Sequence, residues 1–105
     1  MNATRLLNAL SAHQGRDRGI GAKALAIDVG VNPRRLRKLI SQVRDEGIAV
    51  CGQPSTGYFV PVTAEELQES CAFLEHRALH SLRLLSRMKK VSLPDLLGQL
   101  KLNQA

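Results

Sequence analysis

A chain of 105 residues with 44% hydrophobic side chains has material for one small core. Two Phe, one Tyr and no Trp make that core aliphatic, which suits helices better than a large β-sandwich. The formal net charge of +6 makes polyanions the natural partners, and no apolar run approaches the roughly 18 residues needed to cross a bilayer. The opening MNATRLLNALSAHQGR turns polar too soon for a signal peptide. Cys51 and Cys71 have neither metal-ligand spacing nor the density of a disulfide scaffold. They read as reduced, semi-buried thiols of a cytoplasmic protein.

The first predicted element is a helix over residues 3–13, with Leu6, Leu7 and Leu10 on one face and Gln14-Gly15 closing it. RDRGIG, residues 16–21, reads as a loop. AKALAIDVG, residues 22–30, reads as a short helix whose Leu25, Ile27 and Val29 bracket alanines and whose Gly30 suits a left-handed cap. Asn32 followed by Pro33 is an N-cap with proline at the first helical position. The helix it opens runs to about Glu46, with Leu36, Leu39, Ile40 and Val43 at helix-face spacing and Gly47 as terminator. IAVCG and GYFVPV, separated by QPST, read as a hairpin in which Tyr58 and Phe59 face opposite ways. Thr63 with Glu66 three residues later is a capping-box spacing. It opens a long helix over 63–90, roughly 40 Å at 1.5 Å per residue. Pro94 is expected to interrupt that helix and leave 91–105 as a tail or short docking helix.

The order is helix, helix, tight turn, helix, β-hairpin, long helix. The expected fold is therefore mainly α with a small hairpin, a winged helix–turn–helix over 1–62 followed by a long C-terminal helix. The stretch AKALAIDVGVNPRRLRKLISQVRDEGIAVCGQPSTGYFVP resembles the small winged helix–turn–helix domain of biotin-repressor-type regulators. The resemblance rests on Gly30-Val31 ending a short helix, and on Leu36, Ile40 and Val43 in the helix that follows. Arg44-Asp45-Glu46-Gly47 at its end and Gly57-Tyr58 after the wing complete it. It spans roughly residues 3–62 and implies a DNA-binding module. The biotin-binding ligase domain is absent, so no ligase activity is implied. The wing tip Gln53-Pro54-Ser55-Thr56 lacks the Lys or Arg often found there. Small phage and prophage winged-helix proteins often carry an appended helix of this kind.

Between residues 31 and 44 stand Arg34, Arg35, Arg37, Lys38 and Arg44, with no acidic residue. A solvated helix usually mixes signs to gain i,i+4 pairs. With Leu36, Ile40 and Val43 inward, Arg34, Arg35, Lys38 and Gln42 are expected on the outward face, and Arg37 and Arg44 on its flanks. A recognition helix sets its N-terminal residues against base edges and its flanks against phosphates. Arg reads guanine bidentately, and Gln reads adenine. Lys23, Ser55 and Thr56 complete the expected DNA-contacting set.

The long helix carries an apolar seam of Leu67, Cys71, Leu74, Ala78, Leu82, Leu85 and Met88. Leu67, Leu74, Ala78, Leu82, Leu85 and Met88 are expected to form a homodimer contact, because a core of about 60 residues cannot cover so long a stripe. His76 and His80 stand at i,i+4 without a third ligand nearby, so no metal is expected. Gln99-Leu100-Lys101-Leu102 resembles the Gln-Leu-x-Leu-Phe peptide that docks on replicative sliding clamps, with Asn103 in place of the aromatic. It marks the tail as a possible contact for a protein partner.

No nucleophile–base pair, carboxylate dyad or phosphate-cradling glycine loop is visible, so neither an enzyme nor a cofactor is expected. The expectation is a dimeric, nucleoid-associated transcriptional regulator that binds double-stranded DNA with helix 33–46 in the major groove. The alternative is a protein-interaction module, a small phage-type inhibitor or replication-associated adaptor using a winged-helix surface.

Overall fold

The computed structural model describes residues 2–100. Their elements are α1 (Asn2–Leu10), α2 (Ala22–Val29), α3 (Pro33–Asp45), β1 (Cys51–Gln53), β2 (Gly57–Phe59), α4 (Ala64–Lys89) and α5 (Leu93–Leu100). The architecture is mainly helical, with one small antiparallel hairpin and one long helix. No helix among the described residues is long and apolar enough to cross a membrane. The chain divides into two units, Met1–Cys71 and Ala72–Ala105. The first takes in about two turns of α4.

In the first unit α1, α2 and α3 pack pairwise around an aliphatic core. Leu6, Leu10, Leu25, Val29, Leu36, Leu39, Ile40, Val43 and Val50 are buried in it, with Ala26 filling the close approach of α2. Leu7 is half-buried. Ile27, grouped with Leu25 and Val29 by the sequence pattern, is instead 78% exposed. The 3.6-residue turn sets Ala26, not Ile27, on the face shared by Leu25 and Val29.

Helix ends follow local chemistry. The Asn32 Oδ1 accepts from the Arg35 backbone N–H at 2.7 Å, and Pro33 starts α3 where no intrahelical donor is needed. Gly30 takes φ 84°, ψ 34° and closes α2, with the Val31 N–H reaching the Ala26 carbonyl. α4 stops the same way without a glycine. Lys90 adopts φ 56°, and the Val91 N–H donates to the Ser86 carbonyl. Pro94 is therefore not the interruption. It lies in the first turn of α5, behind Ser92, whose Oγ accepts from the Asp95 N–H.

The hairpin is shorter than the apolar runs suggest, with Cys51 opposite Phe59, Gly52 opposite Tyr58 and Gln53 opposite Gly57. Phe59 is buried and Tyr58 half-buried, as alternation requires. The Tyr58 ring covers Gly52 so closely that a Cβ there would stand 2.6 Å from its Cδ1. The far edge of β2 is occupied too. Ile20 exchanges both backbone hydrogen bonds with Tyr58, at 2.9 and 2.7 Å, while Val60 bonds Gly15 and His13. The segment expected as a plain loop is thus a short 3-10 turn, Arg16–Arg18, followed by a strand-like edge.

Glu66 ties this connection to the start of α4. Its N–H donates to Thr63 Oγ1 at 3.1 Å, as the capping-box spacing predicts. Its carboxylate turns only weakly back to the Thr63 N–H. It accepts from the Val62 N–H at 2.9 Å and the Arg16 N–H at 2.8 Å, and the Arg16 guanidinium pairs with Glu69 at 2.6 Å. Cys51 is buried beside Glu66 and Ser70, and burial pushes its thiol pKa up. Cys71 is exposed rather than semi-buried, and neither cysteine forms a disulfide.

Two outcomes test these contacts. Asn32→Ala should cost about 1 kcal/mol in thermal or urea unfolding, the usual value of an N-cap. The backbone donor of Arg16, then that of Val62, holds the Glu66 carboxyl below the ordinary glutamate range. A depressed carboxyl stabilises the fold above its unfolded pKa, and the benefit fades as pH falls through the folded pKa. The melting-temperature gap between the native chain and Glu66→Gln should therefore be full at pH 7 and shrink below about pH 4.3. A gap constant from pH 7 to pH 3 would assign the stabilisation elsewhere.

Candidate nucleic-acid interface

The four aliphatic positions of α3 settle its orientation. Leu36, Leu39, Ile40 and Val43 are all within 2% of complete burial, and they occupy one side of the helix. The opposite side must then face outward over its whole length. There Arg34, Arg37, Lys38, Ser41, Gln42 and Asp45 line one shallow, open groove. Arg34 and Lys38 are an i,i+4 pair, so their Cβ atoms lie about 5–6 Å apart. From Arg34 to Asp45 the row covers roughly 16 Å of helix axis.

Among the described residues, none of Arg34, Arg35, Arg37 or Lys38 has a carboxylate within ion-pair distance; the pair found is Arg16 with Glu69. The cationic row is therefore uncompensated along its N-terminal two thirds. Its C-terminal end carries Asp45, which shares the groove. A guanidinium, an ammonium, a carboxamide, a hydroxyl and a carboxylate thus stand on one face. Such a row can donate to phosphate oxygens and to base acceptors, and at Asp45 it can accept from an amino group.

Several expected contact residues are placed differently. Arg37 belongs to the groove lining, while Arg35 is exposed but outside it. One hundred degrees per residue turns Arg35 toward the Leu39 side, and Arg37 back toward Ser41. Arg44 is only half-exposed, because its Nε–H donates to the Val50 carbonyl at 2.8 Å. Its guanidinium runs beside Gly52, where there is no side chain to obstruct it. Arg44 joins the end of α3 to the approach of β1 through that bond.

Lys23 is exposed in the first turn of α2. Ser55 is exposed at the hairpin turn, but Thr56 is half-buried and its hydroxyl donates to the Gly57 carbonyl at 3.0 Å. The turn itself presses on Gly19, where any side chain would collide with the Thr56 carbonyl. Ser41 and Asp45 were missed by counting cations alone. Their spacing identifies them, since residues 34, 38, 41 and 45 follow a 4-3-4 progression along one helix face.

His76 and His80 are both exposed on α4, and no group of three or more His, Cys, Asp or Glu that could hold a metal occurs among the described residues. In the tail resemblance, Gln99 and Leu100 end α5, whereas Lys101 and Leu102 lie outside the described residues.

The two kinds of arginine on α3 should separate in an unfolding experiment. Arg44→Ala strands the Val50 carbonyl and should cost about 1–3 kcal/mol. Arg34→Ala, on the open groove, should stay within about 0.5 kcal/mol of the native chain. Equal losses in urea titrations would remove the distinction. The chain matches no protein-family profile, no curated protein and no solved structure, so the reading of this surface rests on its own geometry.

Proposed function

We propose that residues 1–62 form a winged helix–turn–helix that binds double-stranded DNA, with α3 in the major groove, as in regulators of the biotin-repressor type. The observation that carries this reading is the uncompensated row of Arg34, Arg37 and Lys38, continued by Ser41 and Gln42, on the face of α3 opposite the core. An α-helix fits the major groove of B-DNA, and a row about 16 Å long spans several base pairs.

The turn between α2 and α3 is short, and α2 packs on α3, so the two helices enter any complex as one body. Arg34 and Lys38 are assigned to phosphates or guanine edges at the N-terminal end, where recognition helices meet bases. Gln42 and Asp45 are assigned to adenine and cytosine amino groups. Asp45 supports sequence reading over simple polyanion binding, because a carboxylate on a phosphate-binding face weakens affinity for every duplex alike. The hairpin turn carries no cation, and the Thr56 hydroxyl is bonded within it. A wing contact would then come from Ser55 or the backbone.

Titration of oligonucleotides selected by the purified chain tests the reading. Arg34→Ala and Lys38→Ala should each weaken specific binding by about 5- to 150-fold. A residue on phosphate should also lower the salt slope by about one, while one on a base should relax choice at a single position. Unchanged duplex affinity at low salt in the double variant would overturn the DNA reading. Tight capture of a protein ligand by this same face, with no DNA binding, would favour the interaction-module alternative.

A further inference from the structure

The second unit leaves much of its apolar surface uncovered. On α4, Leu74 is 40% exposed, Leu84 44% and Met88 80%. Ala78 and Ser81 between them are exposed as well. Leu67 and Cys71, nearer the start of the helix, are also exposed. The positions Leu67, Cys71, Leu74, Ala78, Ser81, Leu85 and Met88 alternate by four and three residues. That 3.5-residue period holds a stripe against a second helix over a long distance. Leu82, expected on this stripe, falls beside it and Ser81 takes its place; Leu85 stays on the stripe and, like Leu82, is half-buried.

Charge along α4 identifies the partner. Glu65, Glu66, Glu69 and Glu75 stand in its first half, and Arg77, Arg83, Arg87 and Lys89 in its second. A second copy laid parallel would set Arg83, Arg87 and Lys89 beside their own counterparts. Laid antiparallel, it brings Glu75 level with Arg83 of the other helix, while Glu69 already pairs with Arg16 of its own chain. The small side chains of Ala78 and Ser81 lie at the middle of the stripe, where two antiparallel helices are nearest, with the larger Leu74, Leu85 and Met88 outside them.

We infer that α4 pairs antiparallel with α4 of a second copy of this chain, across the stripe from Leu67 to Met88, with Ala78 and Ser81 at the centre. The pairing is independent of the DNA reading, since neither α3 nor its groove takes part. It requires a self-complementary surface, and reversal of an acidic-to-basic helix supplies one.

Sedimentation of the full chain, reduced and without DNA at tens of micromolar, tests association directly. A species of twice the 11.5 kDa chain mass is expected, and a monomer throughout overturns the inference. Leu74→Glu with Met88→Glu alters two exposed side chains and should weaken self-association at least tenfold with helix content unchanged by circular dichroism. A dimer as tight as the native one would move the contact off this stripe. Direction is read by nitroxide labels placed singly at 80 and at 89, in a Cys71→Ser chain whose Cys51 is buried. Antiparallel pairing should separate the two labels at 89 by about 30 Å, and bring those at 80 much closer. Equal short separations at both sites would mean parallel helices and overturn the proposed direction.

Discussion

The burial of Leu36, Leu39, Ile40 and Val43 against α1 and α2 fixes the rotation of α3 about its own axis, and most of the surface chemistry of the first unit follows from that rotation. Full burial of such aliphatic side chains is worth about 1.5–3 kcal/mol each. A slip of one position would put Arg37 or Lys38 in the core, where an unpaired charge costs far more than the slip could recover. The outward row is therefore specified by what lies on the other side of the helix. Its cations are also cheap to hold, because the backbone beneath them is already ordered by the core. A ligand meeting this row does not have to supply the entropy of folding the helix.

A second constraint acts through Glu66. Its two carboxylate oxygens take backbone donors from Val62 and from Arg16, which are far apart in sequence. The reciprocal bond of a capping box is thereby subordinated to a tertiary one. Arg16, held at its backbone by Glu66 and at its guanidinium by Glu69, anchors the connection between α1 and α2. That connection in turn occupies the free edge of β2 through Gly15 and Ile20. A hairpin with only three residues per strand is marginal alone. Here it is stabilised by this edge and by the burial of Cys51 and Phe59.

The order and type of the elements were legible because local chemistry and the tertiary structure agree. Asn32-Pro33, Gly30 and the Leu36–Val43 periodicity each act over one or two turns, and each does what its residues favour. What was not legible depends on distant partners. Nothing near Arg44 in sequence announces that the Val50 carbonyl will accept its Nε–H. Nothing local says that Ile20 will pair with Tyr58 and turn a glycine-rich loop into a sheet edge. The exposure of Ile27 was legible in principle, since the helix period separates it from Leu25 and Val29. Pro94 misled for another reason. A proline is compatible with a first helical turn, and the break had already been made by Lys90 in the left-handed region.

The chain's positive charge is consequently of two kinds. On α3 the cations stand on a helix whose other face is wholly committed to a core, and among the described residues no carboxylate pairs with them. On α4 they succeed a run of carboxylates along one helix, and the apolar stripe between them lies open. The first arrangement raises electrostatic potential on one groove, which favours a polyanion. The second changes sign once along the axis, which favours a partner of the same sequence read in the opposite direction. Composition counts both sets in a single net charge; only their placement relative to buried apolar residues separates the ligand that each one suits.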